Sequence, residues 1–163
     1  MILYFIRHGE AGHVAPSDFE RTLTTRGEGM VHGVGRALGS LIGRVHGILA
    51  SPLVRAQQTA GILQGYFTGT QIESCQHLTP GADPATLLAE LRHHTNDSNI
   101  LLVSHEPFVS TCISYLTYGA TDARISIKPA SVGCVHVGAV LERGAGRLDW
   151  LMTAELLARM NHQ

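Results

Sequence analysis

Two stretches of the chain are apolar without interruption, Ile2 to Ile6 and Ile100 to Val103, each bounded by polar or turn-forming residues. Short continuous runs of this kind are the pattern of strands buried on both faces of a parallel sheet. Gly47 to Ala50 is a weaker third, and Gln71 to Cys75 reads as a further strand. Between them the apolar positions change period. Met30, Val31, Val34, Leu38, Leu41 and Ile42 recur at spacings of three and four, predicting a helix over residues 26–42, and Thr25 to Glu28 ahead of them has the form of a capping box. Residues 56–67, 84–94 and 107–118 carry three more helical patterns. This alternation predicts an α/β three-layer sandwich, a mostly parallel central sheet with helices on both faces and right-handed crossovers. After Gly119 the pattern shifts: "SVGCVHVGAV" and "GRLDWLM", joined by the glycine-rich "ERGAGR", read as a hairpin at or near the sheet edge, and Ala154 to Met160 as a short helix. No repeat, linker or low-complexity segment divides the chain, so residues 1–163 are expected to form a single domain.

Composition narrows the function classes. A chain of 163 residues is long enough to close a hydrophobic core without disulfides or a structural metal. With 15% charged residues and a net charge of -1 there is no basic footprint for nucleic acid. Cys75, Cys112 and Cys134 are odd in number and lack a C-x-x-C pair, which suits small buried thiols in a reducing compartment. Ile2 to Ile6 is too short for the core of a signal peptide, and no apolar stretch approaches a membrane span. A cytoplasmic protein with no nucleic-acid or membrane partner is expected.

Candidate chemistry gathers where the apolar runs stop. The first strand ends in "RHGE", placing Arg7 beside His8; the strand at Ile100 ends in "SHEP", placing His105 beside Glu106; and "SPLVRAQQT" puts Arg55 early in the helix after a third strand. In an open parallel sheet those carboxyl ends share the edge where ligands bind. Pro52 and Pro107 read as first-turn prolines, with Ser51 and Glu106 at or near the capping positions, so two helix N-termini are expected to open toward the same crevice and favour an anion. Paired arginines suit an oxyanion with several oxygens, which points to a phosphoryl group. A histidine among arginines is biased toward its neutral form and can attack phosphorus, which makes His8 or His105 a candidate nucleophile. The chain has no G-x-x-x-x-G-K-[ST], no cysteine six residues before an arginine and no D-x-D pair, so metal-free, histidine-based chemistry is expected, with no cofactor.

Four stretches, "IRHGE", "LTTRG", "SPLVRAQQT" and "VSHEP", carry a family resemblance. In this order they resemble the histidine phosphatase superfamily, with its phosphoglycerate mutase-like fold, and "DFERTLTTRG" with the short length is similar to its SixA-type branch of phosphohistidine phosphatases. The likeness runs from residue 2 to about residue 118. It implies that His8 is the covalent nucleophile and that Arg7, Arg55 and His105 hold the phosphoryl oxygens. Arg21 matches an arginine of that branch and is expected to line the phosphate pocket or to pair with Asp18 or Glu20. For the general acid, Glu106 is preferred over Asp83 because it adjoins His105; the alternative is that Glu106 caps its helix. His93 and His94 are adjacent, unlike an i, i+4 metal pair, and Trp150 is expected to serve core or strand-edge packing. The reading that follows is a metal-independent phosphohistidine phosphatase acting on phosphoproteins at an open site. Its rivals are a small-molecule phosphomonoester phosphatase of the same fold and a phosphohistidine-binding adaptor without turnover.

Overall fold

A computed structural model describes residues 1–95, 97–122 and 124–160. Strands β1 (Ile2–Arg7), β2 (Gly47–Ala50), β3 (Ile72–Ser74), β4 (Asn99–Ser104), β5 (Val132–Val137) and β6 (Gly146–Met152) form one sheet in the order β3-β2-β4-β1-β5-β6. The four strands from β3 to β1 pair in parallel, and β5 and β6 add antiparallel as the expected edge hairpin.

Alternation along the central strands builds two cores, because successive side chains leave opposite faces of the sheet. Tyr4, Ile6, Ile48, Ala50, Leu101 and Val103 face helices α1 (Thr25–Leu41), α2 (Val54–Gln64) and α5 (Ala154–Met160). Leu3, Phe5, Leu49, Ile100 and Leu102 face α3 (Pro84–Leu91) and α4 (Phe108–Tyr118). The result is the three-layer α/β arrangement that the apolar runs predicted. Trp150, partly buried on the edge strand β6, packs beside Tyr4 with ring centroids 6.0 Å apart. All three cysteines are free and buried. Among the described residues no helix is long and apolar enough to cross a membrane.

Several helix ends differ from the sequence reading. The cap of α1 is Thr24, whose hydroxyl accepts from Gly27 N at 2.9 Å, in place of a box opening at Thr25. Gly27 stands where such a box would carry its acidic residue, and Glu10 from the β1 end takes that part with its backbone oxygen, which accepts from Thr24 N at 2.9 Å, while its carboxylate accepts from the Thr24 hydroxyl at 2.9 Å. A Cβ on Gly27 would run into the Glu10 backbone, so only glycine lets α1 start against the turn that follows His8. Helices α2 and α3 end earlier than their apolar patterns, because the next amides bond three residues back: Tyr66 N to Leu63 O, Phe67 N to Gln64 O, and His94 N to Leu91 O. Neither proline expected in a first turn lies there, since α2 starts at Val54 after Leu53 and Pro107 occupies the cap position of α4.

Candidate active site

Register brings the chemistry together. β1 pairs with β4 through Arg7 and Ser104, so the chain leaves both strands at the same level, with His8 and His105 next in line. Their ring centroids lie 5.0 Å apart. The backbone around His8 is braced on two sides: His8 N donates to Ser104 O at 2.9 Å, and Ala130 N donates to the carbonyls of Arg7 and His8 at 3.0 and 3.1 Å. Ala130 makes that double contact with a left-handed φ of 56°, a conformation that costs an alanine about 1 kcal/mol.

The His8 ring has one partner on each nitrogen. Nδ1 lies 2.7 Å from Gly9 O, and Nε2 lies 3.1 Å from Arg55 Nε. A carbonyl only accepts and a guanidinium only donates, so the proton sits on Nδ1 and the lone pair of Nε2 faces Arg55. Thr59, one turn beyond Arg55, links the two halves of this arrangement: its hydroxyl donates to Arg55 O at 2.8 Å and accepts from Gly9 N at 3.1 Å. The outer edge of Arg55 is held by Asp18, Nη1 donating to the backbone oxygen at 2.6 Å and Nη2 to Oδ2 at 3.0 Å. Arg55 is buried at 4% exposure.

On the other side of the site His105 Nε2 meets Ser51 Oγ at 2.8 Å, and Arg7 Nη1 donates to Ile127 O at 2.7 Å. His105 Nδ1 and Arg7 Nε are buried and have no hydrogen-bond partner. Two nitrogens left unpaired in one cluster are unusual, because an unsatisfied buried polar group costs about 1 to 3 kcal/mol.

The helix N-termini do not supply that site as expected. Val54 N, the first amide of α2, donates to Phe19 O at 3.1 Å, and Ser51 reaches Leu53 N only at 3.4 Å. At α4 the anion is already in place: Glu106 accepts from Ser110 N at 3.2 Å and from Ser110 Oγ at 2.7 Å. Glu106 thus caps a first-turn amide of α4 with Oε1, and its Oε2 is held by the Ser110 hydroxyl. Asp83 is the cap of α3, accepting from Ala85 N at 3.0 Å. Arg21 pairs with Asp18 at 3.0 Å, the ion pair weighed in the sequence, and its Nε donates to Gly12 O at 2.7 Å.

A family model of the histidine phosphatase superfamily (branch 1) matches residues 3–80. A phosphohistidine phosphatase SixA homolog of Haemophilus influenzae is 30% identical over 142 residues, 81% of this chain and 85% of its own. The phosphohistidine phosphatase SixA of Escherichia coli is 28% identical over 156 residues, 94% of each chain. A solved structure of the protein histidine phosphatase SixA complexed with tungstate superposes with a TM-score of 0.87 at 27% identity, covering 96% of this chain and 99% of that one. The chain belongs to the histidine phosphatase superfamily, in its SixA-type branch. It is a phosphatase, and its sheet and helices have the phosphoglycerate mutase-like fold.

In this histidine phosphatase both site imidazoles are held neutral. Burial lowers the pKa of His8 to about 4; the Gly9 bond opposes that shift, and Arg55, Arg7 and Arg21 add to it. Burial, then the charge of His8, lowers His105 to about 3. The unfolded chain, with histidines near 6.5, therefore binds protons that the folded chain refuses. The contribution of the two neutral histidines to stability is present above about pH 6.5 and is lost as pH drops from that value through 4 and 3. Urea unfolding at pH 7 and pH 5 is expected to show this loss in the wild type, and a smaller one in a variant with His8 and His105 both changed to Asn. An equal loss in the two proteins would place the acid sensitivity in other groups.

Asp18, Thr59, Gly9 and Ala130 belong to the site and went unassigned in the sequence. Thr59 could have been found, since it lies four residues after Arg55 within "RAQQT". For Asp18 only the i+3 spacing to Arg21 was readable, and no local pattern announces a left-handed alanine at residue 130.

Proposed function

We propose that this phosphatase removes the phosphoryl group from phosphohistidine on a protein substrate, with Nε2 of His8 as the covalent nucleophile. The observation that carries this reading is the His8 ring itself: Nδ1–H is anchored on Gly9 O, and the Nε2 lone pair faces the guanidinium of Arg55. In the first step Nε2 attacks phosphorus in line, a P–N bond forms to His8, and the P–N bond to the substrate imidazole breaks. Arg55 Nε–H moves from Nε2 to a phosphoryl oxygen, while Arg7 and His105 bring the nitrogens that have no partner within the protein. The Nδ1–H bond to Gly9 persists through this step. In the second step water attacks phosphorus, the P–Nε2 bond breaks, and the proton of that water passes to the phosphate or to solvent.

The leaving group agrees with the placement of Glu106. An imidazole protonated on its far nitrogen leaves as a neutral ring and needs no protein acid, whereas an alkoxide does. Both Glu106 oxygens are engaged by Ser110, which supports a cap in place of a proton donor. Nucleophile and charge stabilisation are all supplied by side chains of the chain, so the reading asks for no metal or cofactor.

A protein substrate is supported by the loop between β1 and α1. It exposes Val14 fully and Phe19 by half, although Gly12 N is bonded to Thr22 O and Phe19 O receives Val54 N. Exposed apolar side chains on the loop that carries Asp18 suit the surface around a phosphorylated histidine, whose ring is too short to enter without that surface meeting the rim. Phosphate release is expected to be faster, by kcat/KM, on a phosphohistidine protein than on any of a panel of sugar and glycerate phosphates. Changing Val14 and Phe19 together to Ser is expected to lower the phosphoprotein rate relative to an aryl phosphate by about tenfold. A wild-type preference for the small esters would replace the protein substrate with a metabolite.

A further inference from the structure

Asp18 touches two arginines, one of which meets the candidate nucleophile. Oδ2 and the backbone oxygen take Nη2 and Nη1 of Arg55, while Oδ1 takes Nη1 of Arg21. Arg21 is itself tied to Gly12 O, at the start of the same loop. The carboxylate is 61% exposed, so as an ion pair it adds little to stability. Its geometric effect is larger. An arginine side chain has several rotatable bonds, and a guanidinium near a phosphoryl group is useful only if one chosen edge faces the oxygens. With Nη1 and Nη2 both fixed on Asp18, the edge left toward His8 is the Nε edge, and Nε lies 3.1 Å from His8 Nε2.

We infer that Asp18 is a positioning residue: it grips the outer edge of Arg55 and so holds the Nε–H on the face of His8 where the phosphoryl group is transferred. The inference rests on the roles of His8 and Arg55 given above. Asp18 acts only through Arg55 and gives up no proton. The hydrogen bonds from Arg21 and then Arg55 hold its carboxyl below the ordinary range, which keeps it ionised. The backbone bond from Arg55 Nη1 to Asp18 O survives replacement of the side chain, so removing the carboxylate loosens the guanidinium without releasing it.

The test compares the wild type with Asp18→Asn, Asp18→Glu, Arg55→Lys, the Asp18→Asn/Arg55→Lys double variant and His8→Ala, on an aryl and an alkyl phosphate. Asp18→Asn is expected to lower kcat about 10- to 100-fold, with KM moving much less and the thermal midpoint nearly unchanged. Asp18→Glu is expected to recover part of the loss. The fall should be equal on both esters, and the double variant should be no slower than Arg55→Lys alone, because a lysine has no Nε edge for Asp18 to aim at His8. A loss that grows with the leaving-group pKa would make Asp18 a proton donor, and additive losses would separate it from Arg55; either result overturns the inference. An inactive His8→Ala beside a fully active Asp18→Asn overturns it while sparing the nucleophile. A fully active His8→Ala removes the nucleophile and the inference with it.

Discussion

His8→Ala is expected to abolish phosphate release, by about 10⁴-fold or more, while the protein still binds an oxyanion. The two halves of this result come from different atoms. In the proposed mechanism turnover needs the Nε2 lone pair, and the next imidazole, on His105, already has its Nε2 on Ser51 Oγ at 2.8 Å. Oxyanion binding needs donors, and Arg7, Arg55 and His105 remain. Loss of the ring also frees Arg55 Nε, whose acceptor in the folded protein is His8 Nε2 at 3.1 Å. Tungstate should therefore raise the thermal midpoint of the variant at least as much as that of the wild type. Rapid quenching supplies the second measurement. A phosphorylated wild-type protein should form, stable to alkali and labile to acid as a phosphoramidate is, and the variant should form none. Full phosphate release from His8→Ala would place the nucleophile on another residue.

The architecture was legible because its central strands are buried on both faces. Leu3 to Ile6 and Ile100 to Val103 have no solvent side to satisfy, so their apolar runs are continuous and their ends are sharp. Those ends are also where the chain changes from core to crevice, which is why Arg7, His8 and His105 could be picked out by position. Helix ends were less legible. Thr24 and Thr25 are adjacent and chemically equal, and which one caps α1 is decided by Glu10, a residue from a different element. The helix N-termini misled for a similar reason. Pro52 and Pro107 signal a nearby helix start, yet the amides behind them are occupied by Phe19 O and by the Glu106 carboxylate, and only the tertiary structure shows those acceptors. The proposed mechanism consequently leaves the phosphoryl charge to side-chain donors. Asp18 is the clearest case of what a local reading misses: its spacing to Arg21 is helical in form, while its contact with Arg55 spans 37 positions.

Arg55→Lys is expected to cost about 2 to 4 kcal/mol of transition-state stabilisation, a fall of roughly 30- to 1000-fold in rate with the positive charge retained. The guanidinium meets three acceptors at once, His8 Nε2, Asp18 O and Asp18 Oδ2, from three different nitrogens. An ammonium on a flexible stem carries the same charge at one point, so it can sit on Asp18 or over His8 but does not span both. Folding should change little, since the lysine tip can turn toward Asp18, which is 61% exposed. The decisive measurement separates kcat from KM. Equatorial phosphoryl oxygens change their geometry as the transfer proceeds, and a fork held from behind is matched to that geometry before the substrate arrives. A fall in kcat with KM nearly unmoved assigns the Arg55 fork to the transition state. A rise in KM alone would make it a ground-state anchor, and a wild-type rate would leave Arg55 as a structural partner of Asp18.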